Sequence, residues 1–177
     1  ILRRQPKRDG GNVDLIRTLL DLEPTMLVIA RDGERAARIF AKNGGESRVE
    51  CFNVNHTDWC SYRVIAGGDP LNYAGKSHLS RLTDGTPHSA TEWMRATANE
   101  GYPNAVVELA QIFWDGRAGD VFLIPRSEWG FKKAKAATHG SIIFDDMRVI
   151  MLMAGPAVPH GRFFTIRGND VYALLID

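Results

Sequence analysis

Hydrophobic positions along the chain switch between two periods, and the switches mark out the elements. Val13, Ile16, Leu19 and Leu20 recur at helical spacing and Pro24 ends the pattern, which predicts a helix over Val13 to Leu22. Thr25 to Ala30 is a short apolar run with the length of a buried strand, and Asp32-Gly33 supplies a turn into a second strand over Ala36 to Ala41. Ser47 to Val54 and Trp59 to Ile65 form a further strand pair around Asn55-His56-Thr57-Asp58. The first third of the chain therefore reads as a small antiparallel sheet. Gly67 to Gly75 is a loop punctuated by glycine and proline.

Helical signals take over in the middle of the chain. Ser89 with Glu92 three residues later is a capping box, and it starts a helix that runs to about Ala98 and ends near Gly101. Pro103 to Trp114 forms a second helix with Ala105, Val106, Leu109, Ile112 and Phe113 on its apolar side. Asp120 to Ile124 and Val149 to Ala154 are continuous apolar runs of the kind buried on both faces in a parallel sheet. Asn169 to Ile176 predicts a final short helix. No internal repeat or low-complexity linker interrupts this order, and the class it predicts is α/β with an antiparallel insert.

Composition narrows the classes. With 177 residues, 44% hydrophobic and 24% charged, the chain is long enough for one compact domain or a compact piece of a larger one. Its 22 basic and 21 acidic residues leave a net charge of +1, so no global field argues for nucleic acid or acidic lipid. The local cluster Arg3, Arg4, Lys7 and Arg8 reads as a solvated tail. No segment is long and apolar enough to span a membrane, no signal peptide is present, and a chain opening at Ile1 reads as processed, trimmed or a fragment. Cys51 and Cys60 flank the predicted hairpin; they are either a disulfide across it or two free, half-buried thiols.

Several short motifs invite chemistry. Gly75-Lys76-Ser77 suggests a phosphate loop, but position 70 is proline where that loop needs glycine, so a surface turn accounts for it better. Asp84 and His88, with His139, would supply a carboxylate and two imidazoles, a zinc set with an open fourth position. Gly85 and Pro87 argue for a turn there, making a loop carboxylate and an exposed or capping histidine the default. His56 and Asp58 at a hairpin tip, His78 beside Lys76, and His160 in a Pro-His-Gly turn are expected in solvent. His139 differs, because Ala137-Thr138-His139-Gly140-Ser141 lies between two apolar runs, near strand ends where open α/β sheets place ligands. Gly140 allows close backbone approach, and Thr138 and Ser141 offer hydroxyls that could orient the imidazole.

The second half resembles the alkaline phosphatase superfamily, in particular its phosphatase and type I phosphodiesterase/nucleotide pyrophosphatase branches. Tyr102-Pro103-Asn104-Ala105 leads into a helix, and Arg117-Ala118-Gly119-Asp120-Val121 is similar to the motif that opens a core strand of that family. Thr138-His139-Gly140-Ser141 resembles its last metal-ligand motif. Asp146 with the run to Gly155-Pro156, and Arg167 to Leu175, resemble the segments that follow. Ala30-Arg31-Asp32-Gly33 and Gly68-Asp69-Pro70-Leu71 are more weakly similar to the intervening antiparallel region.

The resemblance implies that residues 1–177 are a C-terminal portion of such a domain, with an antiparallel insert over about 25–75 and core strands and helices over 100–177. It implies a phosphate ester substrate and a two-zinc centre that stabilises both in-line oxygens, with a Ser or Thr nucleophile. His139 would be one imidazole ligand. The family's Asp-His dipeptide is absent, and Asp84 and His88 come too late in the order to take over its Asp-x-x-x-His pair. The chain alone is therefore expected to have little or no activity and to self-associate through an uncovered sheet edge. Family members point to a periplasmic or extracellular location. The alternatives are a non-catalytic binding or assembly module of the same fold, and a small mononuclear zinc hydrolase using Asp84, His88 and His139.

Overall fold

The structure is a computed structural model that describes residues 5–6, 12–127, 129, 141–156, 158 and 161. The chain divides into two units, 1–147 and 148–177. His139, His160, the basic cluster Arg3, Arg4, Lys7 and Arg8 and the helix expected over Asn169 to Ile176 lie outside the described residues.

The first unit is built on an antiparallel sheet. A two-residue ladder of β1 (Gln5–Pro6) and β2 (Asn12–Val13) precedes α1 (Leu15–Leu20). The main strands are β3 (Thr25–Gly33), β4 (Ala36–Ala41), β5 (Glu46–Val54), β6 (Thr57–Ala66), β7 (His88–Ser89) and β8 (Val121–Pro125). They stand in the order β7-β6-β5-β4-β3-β8, with every neighbouring pair antiparallel. Three further helices are α2 (Ala90–Thr97), α3 (Ala105–Gln111) and α4 (Phe144–Met147).

Alternation along the strands sorts the core into two faces. Leu27 and Ile29 of β3, Ala37 and Ile39 of β4, Val49 and Cys51 of β5, and Cys60 and Tyr62 of β6 pack on one side against Trp93 of α2 and Val106, Leu109, Ala110 and Phe113. Val28, Ala30 and Phe40 point the other way and meet Ile16 of α1, with Leu19, Leu20, Val121 and Leu123 packed around them. Trp93 anchors the larger cluster: it is fully buried, its indole Nε1 donates to the Cys60 carbonyl at 2.7 Å, and its ring lies 6.3 Å from those of both Tyr62 and Tyr73.

The local signals hold where they are dense. The β4 strand spans the expected residues, and the Ser89–Glu92 capping box opens α2 with both reciprocal bonds formed. The β5–β6 hairpin turns on Asn55 and His56, both left-handed (φ 49° and 63°), the conformation of a two-residue turn whose twist matches its strands. Cys51 and Cys60 are paired across it as a disulfide, Cα to Cα 4.1 Å.

Two expectations are corrected. The run over Asp120 to Ile124 does form a strand, β8, but it pairs antiparallel to β3 and stands at the sheet edge among the described residues, where no strand pair is parallel. Its side chains are half-buried: Phe122 and Ile124 contribute to one face of the sheet and Val121 and Leu123 to the other. An apolar run marks a strand buried on two faces without saying which way its neighbour runs. The run over Val149 to Ala154 forms no strand and has no strand partner among the described residues, and Val149, Ile150 and Leu152 are 86, 90 and 91% exposed. Apolar composition supplies side chains for burial, but a strand also needs a neighbouring backbone to take its hydrogen bonds.

Candidate functional site

Asp84 and His88 are brought together, in a turn rather than on a helix. Asp84 Oδ1 accepts the Thr86 backbone N–H at 2.7 Å and the Thr86 hydroxyl at 2.6 Å, which folds the segment back on itself. Thr86 Oγ1 lies 3.1 Å from His88 Nε2, and that nitrogen is 4.0 Å from Asp84 Oδ1. The Thr86 hydroxyl and amide hold the Asp84 carboxyl below its ordinary pKa. His88 is not the exposed or capping residue the sequence suggests. Its β7 backbone pairs with Cys60, its ring stands edge-on to Trp93 with centroids 6.5 Å apart, and Ser89 makes the cap.

This turn offers one carboxylate and one imidazole. A catalytic zinc needs three protein ligands and an open position. Among the described residues no group of three or more His, Cys, Asp or Glu side chains could hold a metal ion. His139, the third member of the proposed zinc set, lies outside the described residues. From its motif only Ser141 is described; its amide donates to Asp146 Oδ2 at 3.1 Å at the start of the segment that forms α4.

Most other polar clusters are committed to holding the fold. Asp69 organises the loop between β6 and the 3₁₀ turn Ser77–Leu79: its carboxylate accepts the Tyr62 hydroxyl and the amides of Leu71 (2.9 Å), Tyr73 (2.7 Å) and Ala74 (2.5 Å). Burial, with the Asp69 carboxylate beside it, pushes the Tyr62 phenol far above its usual range. The Gly68-Asp69-Pro70-Leu71 motif thus has a structural use.

Lys76, the lysine of the rejected phosphate loop, forms a short ion pair with the buried carboxylate of Glu100, and His78 Nε2 reaches the other oxygen at 2.8 Å. Burial opposes ionisation of Glu100, but the hydrogen bonds from Lys76 and His78 outweigh it and hold its pKa below normal. His78, expected in solvent without a partner, therefore has one 22 residues away. No spacing rule in the sequence links these positions.

Asp58, expected at a solvated hairpin tip, is also partnered. It accepts Arg35 Nη2 at 2.9 Å, Asn53 Nδ2 at 2.8 Å and Gln111 Nε2 at 2.8 Å, tying the hairpin to the β3–β4 turn and to the end of α3. The Arg35 guanidinium in turn lies 4.3 Å from the centre of the Trp114 ring. On the outer sheet face Arg48 bridges Asp32 (2.6 Å) and Glu50 (2.5 Å), which raises the arginine pKa and lowers that of Glu50.

No helix among the described residues is long and apolar enough to cross a membrane. Compared with known proteins, the chain matches no family, no curated protein and no solved structure.

Proposed function

We propose that the chain is a C-terminal portion of an alkaline phosphatase-like, metal-dependent phosphohydrolase or phosphodiesterase, with His139 as one imidazole ligand of a two-zinc centre. Nucleophile and remaining ligands would come from outside these residues. The observation that supports this reading best is the course of the chain around the Arg117-Ala118-Gly119-Asp120 motif. Tyr102-Pro103-Asn104-Ala105 enters α3 through Asn104, and the Arg-x-Gly-Asp motif then turns directly into β8, the sequence of helix, motif and strand that the resemblance implies. Arg31 adds to it by gripping the motif, with Nη2 on the Ala118 carbonyl at 2.8 Å and Nε 3.2 Å from Asp120. The strand leads toward the segment that carries His139. Its outer edge has no partner among the described residues, a place for self-association of the isolated chain.

A second reading, a mononuclear zinc hydrolase using Asp84, His88 and His139, is favoured by the 4.0 Å approach of the first two. Equilibrium dialysis of the chain against zinc, followed by metal analysis, separates the two. On the leading reading the chain alone holds no tight stoichiometric zinc and does not hydrolyse bis(p-nitrophenyl) phosphate. The polypeptide encoded by the complete gene does both, and His139→Ala abolishes its turnover. Tight zinc on the chain alone, lost in Asp84→Asn or His88→Ala, would overturn the leading reading in favour of the second.

A further inference from the structure

Cys51 and Cys60 stand directly opposite each other in the β5–β6 ladder, and they are the two cysteines of the chain. Both lie on the sheet face that packs against α2 and α3, 4% and 0% exposed. Two further layers close over Cys60. Its carbonyl takes the Trp93 indole N–H, and its backbone pairs with His88 of β7, one residue before the cap that opens α2.

Thiol–disulfide exchange needs a thiolate to reach one of the two sulfurs. In the folded chain neither is within reach, and exposing them requires lifting α2 and β7 from β6 or α3 from β5, which opens the core around Trp93. The barrier works in both directions, because two thiols sealed in that core could not pass electrons to an outside disulfide. The hairpin itself can align the cysteines earlier, since the left-handed Asn55-His56 turn sets the register without help from the helices.

We infer that the Cys51–Cys60 bond is made during folding, before α2 closes over β6, and that the chain is built to fold in a compartment that oxidises thiols. The oxidant is of the thiol–disulfide oxidoreductase class. One cysteine thiolate attacks its disulfide and releases one of its sulfurs as a thiolate. The second cysteine thiolate then breaks the mixed disulfide and closes the Cys51–Cys60 bond. Two electrons pass to the oxidant, which leaves as a dithiol carrying the two protons given up by the cysteines. Once sealed, the bond is a permanent staple and not a switch. This inference stands apart from the phosphohydrolase reading.

The test is a cysteine count by mass on the full chain, secreted through an oxidising pathway. In urea without reductant no alkyl group is added, and with dithiothreitol two are. In native buffer, reduction by dithiothreitol is at least about 1,000-fold slower than in urea, because it waits on opening of the core. Two alkyl groups gained in urea without reductant would overturn the inference, as would native reduction within about tenfold of the unfolded rate. Refolding gives a check that needs no variant. Chain refolded with oxidised glutathione regains a higher Tm than chain refolded in dithiothreitol, and equal Tm values would count against a staple.

Discussion

His78 Nε2 and Glu100 Oε1 lie 2.8 Å apart, joining the 3₁₀ turn to the segment between α2 and α3 across 22 residues. Lys76 holds the other oxygen of the same carboxylate, so one buried anion fastens a loop that the sequence presents as a plain surface turn. The Glu100 pKa is held below the ordinary glutamate value. Its stabilising contribution is therefore complete above about pH 5 and is lost as pH falls through the lowered folded value. Urea unfolding followed between neutral pH and about pH 3 is expected to show this loss, and Glu100→Gln is expected to flatten it. At neutral pH the substitution should cost about 1–2 kcal/mol, the lower range for a pair whose lysine is partly exposed. An unchanged acid limb in the variant would contradict the assignment.

Arg35 and Asp58 are both largely buried in their side chains, 12% and 18% exposed, so removing either strands the other. Asp58→Ala is expected to destabilise by about 2–4 kcal/mol and Arg35→Ala by a similar amount. The double variant should lose clearly less than the sum, by a coupling of about 1 kcal/mol or more in denaturant midpoints. Strict additivity would show that Asn53 and Gln111 suffice for Asp58.

Asp69 takes four donors, three of them backbone amides of its own loop. Asp69→Ala is expected to lower stability by about 3 kcal/mol, since three loop amides, those of buried Leu71 and Tyr73 among them, and the Tyr62 hydroxyl lose a charged acceptor together. Amide hydrogen exchange should speed up at Leu71, Tyr73 and Ala74 well before it changes in β4. Uniform acceleration across the sheet would mean that Asp69 acts on the whole core.

At the base of the β5–β6 hairpin the backbones of two glycine pairs meet. A Cβ on Gly45 would sit 2.2 Å from the Gly68 carbonyl, and one on Gly67, at φ +64°, would sit 2.4 Å from the Gly44 carbonyl. Both contacts are with backbone, which cannot swing aside. Gly45→Ala and Gly67→Ala are each expected to lower stability by more than about 2 kcal/mol, read as a drop in Tm. Gly75→Ala tests the other half of the argument. Its added methyl meets open space, so only the left-handed strain remains and the cost should be about 1 kcal/mol.

Local signals in the sequence determined β4, the capping box of α2 and the turn of the β5–β6 hairpin, because each depends on residues a few positions apart. Residues near the hairpin also limited Cys51 and Cys60 to two states; the tertiary structure chose the disulfide by setting them opposite each other. Tertiary structure alone made β8 an antiparallel neighbour of β3, since an apolar run carries no direction. It gave Asp58, His78 and Lys76 partners tens of residues away, which no periodicity encodes. It also drew Asp84 and His88 together through Thr86 where their spacing alone would do so only on a helix. His139 remains the residue on which the proposed chemistry turns. The sequence supplies its motif and the strand that leads toward it, and the ligands it would need are long-range contacts that a motif does not contain.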